Sequence, residues 1–88
     1  METRIAIIGI IVKNKDSVEA LNDILHQHSD YIIGRLGIPY RQKKLNIISV
    51  AMDGPNQVIN SLAGKIGRLP GVTAKAVYSP PETDSQLP

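Results

Sequence analysis

The sequence contains no cysteine, no tryptophan and no phenylalanine, and its only aromatic residues are three tyrosines. Without thiols it has no disulfide framework, no thiolate zinc or iron–sulfur ligation and no thiol nucleophile. The shortage of aromatics excludes a second class of activity. Small RNA-binding sheets stack bases on aromatic side chains of their central strands, and the strand-like stretch "LNIISVAMD" has none. Long apolar runs are also lacking. The run from Ile5 to Val12 is far too short to cross a bilayer and is followed by no small-residue cleavage site. It reads as a buried strand, and the chain is expected to be cytoplasmic, with no membrane contact.

With 88 residues, the chain makes one domain, of a size at which a single core is only marginally sufficient and burial against a second subunit often supplies the rest. The expected ordered domain covers residues 1–78. The tail from Ser79, "SPPETDSQLP", has too little apolar content to order itself, so residues 79–88 are expected to be disordered. The net charge is +2, and removing the tail's Glu82 and Asp84 leaves +4. Arg35, Arg41, Lys43 and Lys44 fall in one acid-free run.

Arg4 to Val12 is apolar on both alternating faces and predicts the first strand. Asp16 with Glu19 has capping-box spacing, and Val18, Leu21, Ile24, Leu25 and His28 recur at helical intervals, so a helix is expected over Asp16–His28. "DYIIGRLGI" alternates as a second strand ended by Pro39, with Ile32, Gly34, Leu36 and Ile38 on one face and Tyr31, Ile33, Arg35 and Gly37 on the other. "RQKK" is a polar turn into a third strand, in which Ile48, Val50 and Met52 oppose Leu45, Ile47, Ser49 and Ala51. Pro55 then stands at the first position of a second helix, Pro70-Gly71 stops it, and "VTAKAVY" is a fourth strand.

The order βαββαβ specifies an α+β, ferredoxin-like sandwich: a four-stranded antiparallel sheet with both helices on one face. Two helices cover one side of the sheet, yet Ile5, Ile7 and Ile11 of the first strand and Leu45 and Ile47 of the third belong to the other. A sticky apolar face of that size predicts a partner. We expect a homo-oligomer, a dimer or tetramer, with Ile5, Ile7, Ile11, Ile33, Leu45 and Ile47 at its interface.

Several chemistries of this fold class lack their residues. The loop after the first strand, "VKNKDS", has no glycine or arginine to build an acylphosphatase-like phosphate cradle. His26 and His28 stand two apart on a helix, pointing about 200° away from one another, so they cannot chelate one ion. No metal site, no cofactor and no catalytic residues are predicted. The glycines Gly64 and Gly67 inside the second helix imply either close packing or the approach of a ligand or partner to that face.

"RIAIIGIIV", "LNDILHQHSDYIIGRLGIPYR", "NIISVAMDGPNQVINSLAGKIGRLPGV" and "KAVYS" resemble a family of small bacterial proteins known as iron-only hydrogenase system regulators. The likeness runs from Arg4 to Ser79, and "YIIGRLGIPYR" and "LAGKIGRLPGV" carry most of it. It implies an ACT-like fold, similar to the C-terminal regulatory domain of nickel-responsive repressors, in organisms that hold iron-only hydrogenase maturation genes. These residues hold no cysteine to serve as those repressors' metal ligand, and no separate DNA-binding module is expected. "KNKDS" also replaces the glycine-bearing turn that amino-acid-binding ACT domains use.

The expected function is a non-enzymatic regulatory or ligand-sensing module acting as a homo-oligomer, linked to hydrogenase regulation or maturation. Its ligand, a small anion or an amino acid, would sit at a subunit boundary. Arg35 and Arg41 would supply the charge, Tyr31 and Tyr40 flat contacts, and Lys65 a cation beside the helix glycines. Arg35 would alternatively pair with an acid such as Asp30 or Asp53 across the dimer. One rival is a pure protein–protein interaction module working by strand addition. Another is a DNA-associated transcriptional regulator, although the first helix carries acids and no Lys or Arg, so nucleic acid is not expected as a partner.

Overall fold

A computed structural model describes residues 2–80. Four strands form one antiparallel sheet: β1 (Arg4–Val12), β2 (Ile32–Tyr40), β3 (Leu45–Gly54) and β4 (Val72–Tyr78), in the spatial order β2-β3-β1-β4. Helix α1 (Val18–Gln27) links β1 to β2, and α2 (Asn56–Gly67) links β3 to β4. This is the ferredoxin-like α+β sandwich that the βαββαβ order dictates.

Alternation decides the two sides of the sheet. Ala6, Ile8, Ile10 and Val12 of β1 and Ile48, Val50 and Met52 of β3 are buried, and they meet Leu21 and Leu25 of α1 and Ile59, Leu62 and Ile66 of α2 in a single core. Burying each large aliphatic side chain contributes about 1.5–3 kcal/mol, so the core is carried by the helix-facing half of each central strand. The other half, Ile5, Ile7 and Ile11, stays exposed, as the sequence implied.

Three local expectations are corrected. The capping box at Asp16 does not form. Asn14 instead caps a short 3-10 turn over Lys15–Ser17, its Oδ1 accepting from the Asp16 N–H at 2.9 Å, and α1 begins only at Val18. Ser17 is buried because its hydroxyl donates to the Pro70 carbonyl at 2.7 Å, joining this turn to the loop before β4. Pro55 is the extended residue preceding α2 rather than its first helical position, and Pro39 lies inside β2, one residue before its end.

The largest correction concerns β2. Its register against β3 shifts between Ile32, opposite Met52, and Gly34, opposite Ala51. Ile33 is the extra residue of a bulge, and an extra residue reverses the phase of everything after it. Ile32 therefore faces the helices, whereas Gly34, Leu36, Ile38 and Tyr40 join the open face. Arg35 and Gly37, expected on the open face, turn toward the helices, opposite the buried Val50 and Ile48.

Of the expected tail, Ser79 is tied to the sheet by its N–H, which donates to the Ile5 carbonyl at 2.9 Å. Residues 81–88 lie outside those described.

Candidate functional site

The face of the sheet away from the helices is mostly apolar on β1, β2 and β3, and β4 adds Val77 beside Thr73 and Lys75. Following the registers, Ile5, Ile7 and Ile11 on β1 stand beside Ile47 on β3, Val77 on β4 and Leu36, Ile38 and Tyr40 on β2. All eight are exposed, from 39% at Tyr40 to 69% at Val77. At its centre Gly9 and Ser49 pair directly, leaving a shallow dip between flanking isoleucines. Asp53 and Lys75 are the charged residues that the registers place on this face, so it is near neutral in a basic chain. Of the residues expected at an interface, Ile5, Ile7, Ile11, Leu45 and Ile47 share this surface. Ile33 sits on the bulge, 64% exposed. Leu36, Ile38, Tyr40 and Val77 were not among them: the bulge reverses the side of Leu36 and Ile38, and β2 runs on to Tyr40, past the expected end at Pro39.

The expected ligand residues do not form one cluster. Tyr31 and Tyr40 bracket the nine-residue β2, which at about 3.3 Å per residue separates them by roughly 30 Å. Tyr31 lies in a 3-10 turn with its ring against Gly54, where an added Cβ would meet its Cδ1 at 3.0 Å. Arg35 donates to Asn22 Oδ1 of α1 at 3.0 Å and lines an open groove of about 560 Å³ between α1 and β2 with Asp23 and His26. Asp30 and Asp53 of the same chain do not line that groove. Lys65 is exposed on α2, which packs against β4 at the opposite edge of the sheet from β2.

Tyr40 and Arg41 do come together, and with residues the sequence reading passed over. The β2–β3 hairpin and the loop after β1 form the two sides of an open groove of about 570 Å³. Lys13 and Lys15 stand on the loop side, Arg41 and Lys44 on the hairpin side, with Tyr40 forming part of the wall and Asp16 the single acid. A topological signal for this was available. Both β1 and β2 run antiparallel to β3, so their C-terminal exits share one end of the sheet and bring "KNK" and "YRQKK" together.

Both walls are braced. Lys13 N–H donates to the Gly71 carbonyl at 2.8 Å, Ser17 N–H donates to the Asn14 carbonyl at 3.0 Å, and Gly71 lies so close to Asn14 that an added Cβ would fall 2.7 Å from the Asn14 Cβ. In the hairpin, Tyr40 Oη donates to Gln42 Oε1 at 2.7 Å, and Lys44 N–H reaches the Arg41 carbonyl at 3.2 Å. Lys44 adopts left-handed backbone geometry, with φ at 54°.

His26 is exposed, and His28 is half-buried with its Nδ1 2.8 Å from the Ile24 carbonyl oxygen. Among the described residues, no group of three or more His, Asp or Glu is placed to hold a metal ion. No helix among them is long and apolar enough to cross a membrane. The glycines of α2 are not forced by tight packing. A Cβ on Gly67 would meet Ala74 Cβ at 3.9 Å, and one on Gly64 would meet only the end of Arg68 at 3.7 Å.

Residues 4–76 match the family model described as "TM1266-like: Iron-only hydrogenase system regulator, putative". Among solved structures, the fold superposes on that of an uncharacterized protein, TM1266, from Thermotoga maritima, with a TM-score of 0.86 and 32% sequence identity, covering 90% of this chain and 100% of that one. No curated protein matches.

Proposed function

Because the chain belongs to the TM1266-like family described as iron-only hydrogenase system regulators, we propose that it is a non-enzymatic regulatory module that works as a homodimer and responds to a small ligand. The observation that carries this reading is the open face of the sheet. Eight exposed large side chains on one face, around a centre of Gly9 and Ser49, make a patch that monomeric soluble proteins rarely leave in water. A second copy is the occupant that suits it. A two-fold dimer sets the same surface against itself, and a face whose Asp53 and Lys75 balance one another incurs little like-charge penalty on doing so. The helices keep their outer faces free for a regulated partner.

Sedimentation equilibrium on the full chain tests the dimer. The wild type is expected to sediment as a dimer, and Ile7→Lys combined with Ile47→Lys as a folded monomer, since both positions are exposed within one chain. A wild type that stays monomeric at high concentration removes the reading. So does a double variant that dimerises as well as the parent.

A further inference from the structure

We propose that the groove between the β1–α1 loop and the β2–β3 hairpin binds a small phosphorylated molecule carrying two or more negative charges. Lys13, Lys15, Arg41 and Lys44 would hold its phosphates, and Tyr40 would lie against whatever the phosphates are attached to. Four of the chain's 10 basic side chains line this one concavity, with Asp16 as the opposing acid. Cations gathered this way repel one another, so folding alone gives no reason to concentrate them. An anion placed among them turns that repulsion into attraction.

Position and chemistry narrow the class. The volume, about 570 Å³, falls within the range of small-molecule sites. Arg41 offers a planar fork suited to two oxygens of one phosphate, and the three lysines are mobile point charges that can follow a second. A zwitterionic amino acid has one carboxylate for four cations, and its ammonium has only Asp16 to meet. A phosphate ester or pyrophosphate matches the surplus of positive charge. The braced loop, held by Gly71 and Pro70 on one side and by Asn14 internally, limits the ordering that binding would require. Lys44 occupies a backbone conformation that asparagine or glycine adopts at lower cost. The hairpin thus places a lysine in the groove at a cost in backbone conformation.

The groove also gives the regulatory reading a route from ligand to assembly, and in this respect the inference rests on that reading. Tyr40 lies both in the groove and on the apolar face, as does Leu45, which pairs with it across the hairpin. A ligand that fixes Tyr40 alters the rim of the surface on which the second copy sits, so occupancy and dimerisation are thermodynamically linked.

Isothermal titration of the full chain with pyrophosphate and with ATP, against adenosine and glutamate, tests the site. Both phosphates are expected to bind, less tightly as salt rises, while adenosine and glutamate do not. Arg41→Gln combined with Lys44→Gly should weaken binding at least about tenfold, as expected for losing charge-assisted contacts. Arg35→Gln, in the other groove, should leave it unchanged, and circular dichroism verifies that both variants are folded. ATP binding well above pyrophosphate assigns the Tyr40 wall to the base; equal affinities assign the site to the phosphates alone. The proposal fails if neither phosphate binds, if adenosine binds as well as ATP, if Arg35→Gln loses as much as the groove variant, or if single-stranded DNA displaces ATP at lower concentration than pyrophosphate does. Sedimentation of the same samples separates the two readings: phosphate binding by a monomer upholds the groove and removes the dimer.

Discussion

Single residues in this domain are constrained unequally, and the glycines show it. Gly71 has a φ of +68° and no space for a side chain against Asn14. Gly71→Ala combines the left-handed backbone penalty with an overlap against a hydrogen-bonded loop, so we expect it to cost about 2–3 kcal/mol in urea unfolding. Gly64 is the opposite case. It sits in helical geometry with room for a methyl group, and Gly64→Ala is expected to stabilise the domain by about 0.5–1 kcal/mol in the same measurement. A loss of stability there would mean that a partner chain already packs against this helix. Lys44→Gly should likewise raise the melting temperature while removing a groove cation, so that stability and ligand affinity move in opposite directions.

Within elements, β2 carries the lesson about reading strands. Its composition identified it as a strand, and its alternation placed Ile32 correctly. The bulge at Ile33 then moved Leu36 and Ile38 to the open face and Arg35 to the helix side. In β2 the bulge leaves no break in the period-2 pattern, because Ile32 before it and Leu36 and Ile38 after it keep even spacing although they face opposite sides. Arg35 therefore serves α1, through Asn22, rather than the residues at the hairpin. The bond is exposed, so Arg35→Ala should cost less than about 1 kcal/mol in thermal unfolding. A cost of several kcal/mol would show that Arg35 holds α1 against β2 by more than this contact. The first helix gives a related lesson: Asp16 and Glu19 have capping spacing, but the chain is capped earlier, at Asn14, and Ser17 before α1 gives its hydroxyl to the Pro70 carbonyl.

For the whole molecule, the two surfaces differ in physical character, and salt separates them. The open sheet face is apolar and near neutral; the groove at its end is strongly basic. Raising salt screens charges but leaves apolar burial largely intact. Dimer dissociation, followed by sedimentation from low to high salt, is thus expected to change little, while pyrophosphate affinity falls steeply over the same range. A dimer that melts away with salt would mean that ion pairs rather than isoleucines hold the copies together.

By itself the sequence determined the element order and hence the sandwich. Hydrophobic periodicity is a local property of the chain, and two helices can shield only one side of four strands. It determined for the same reason that Ile5, Ile7, Ile11 and Ile47 would be left uncovered. Only the tertiary structure decided which residues of β2 share that face, since register depends on pairing with β3. It also decided that the cations beside Arg41 are Lys13 and Lys15, not Arg35 or Lys65. Those lysines are distant from Arg41 in the chain and become its neighbours only because β1 and β2 leave the sheet at the same end.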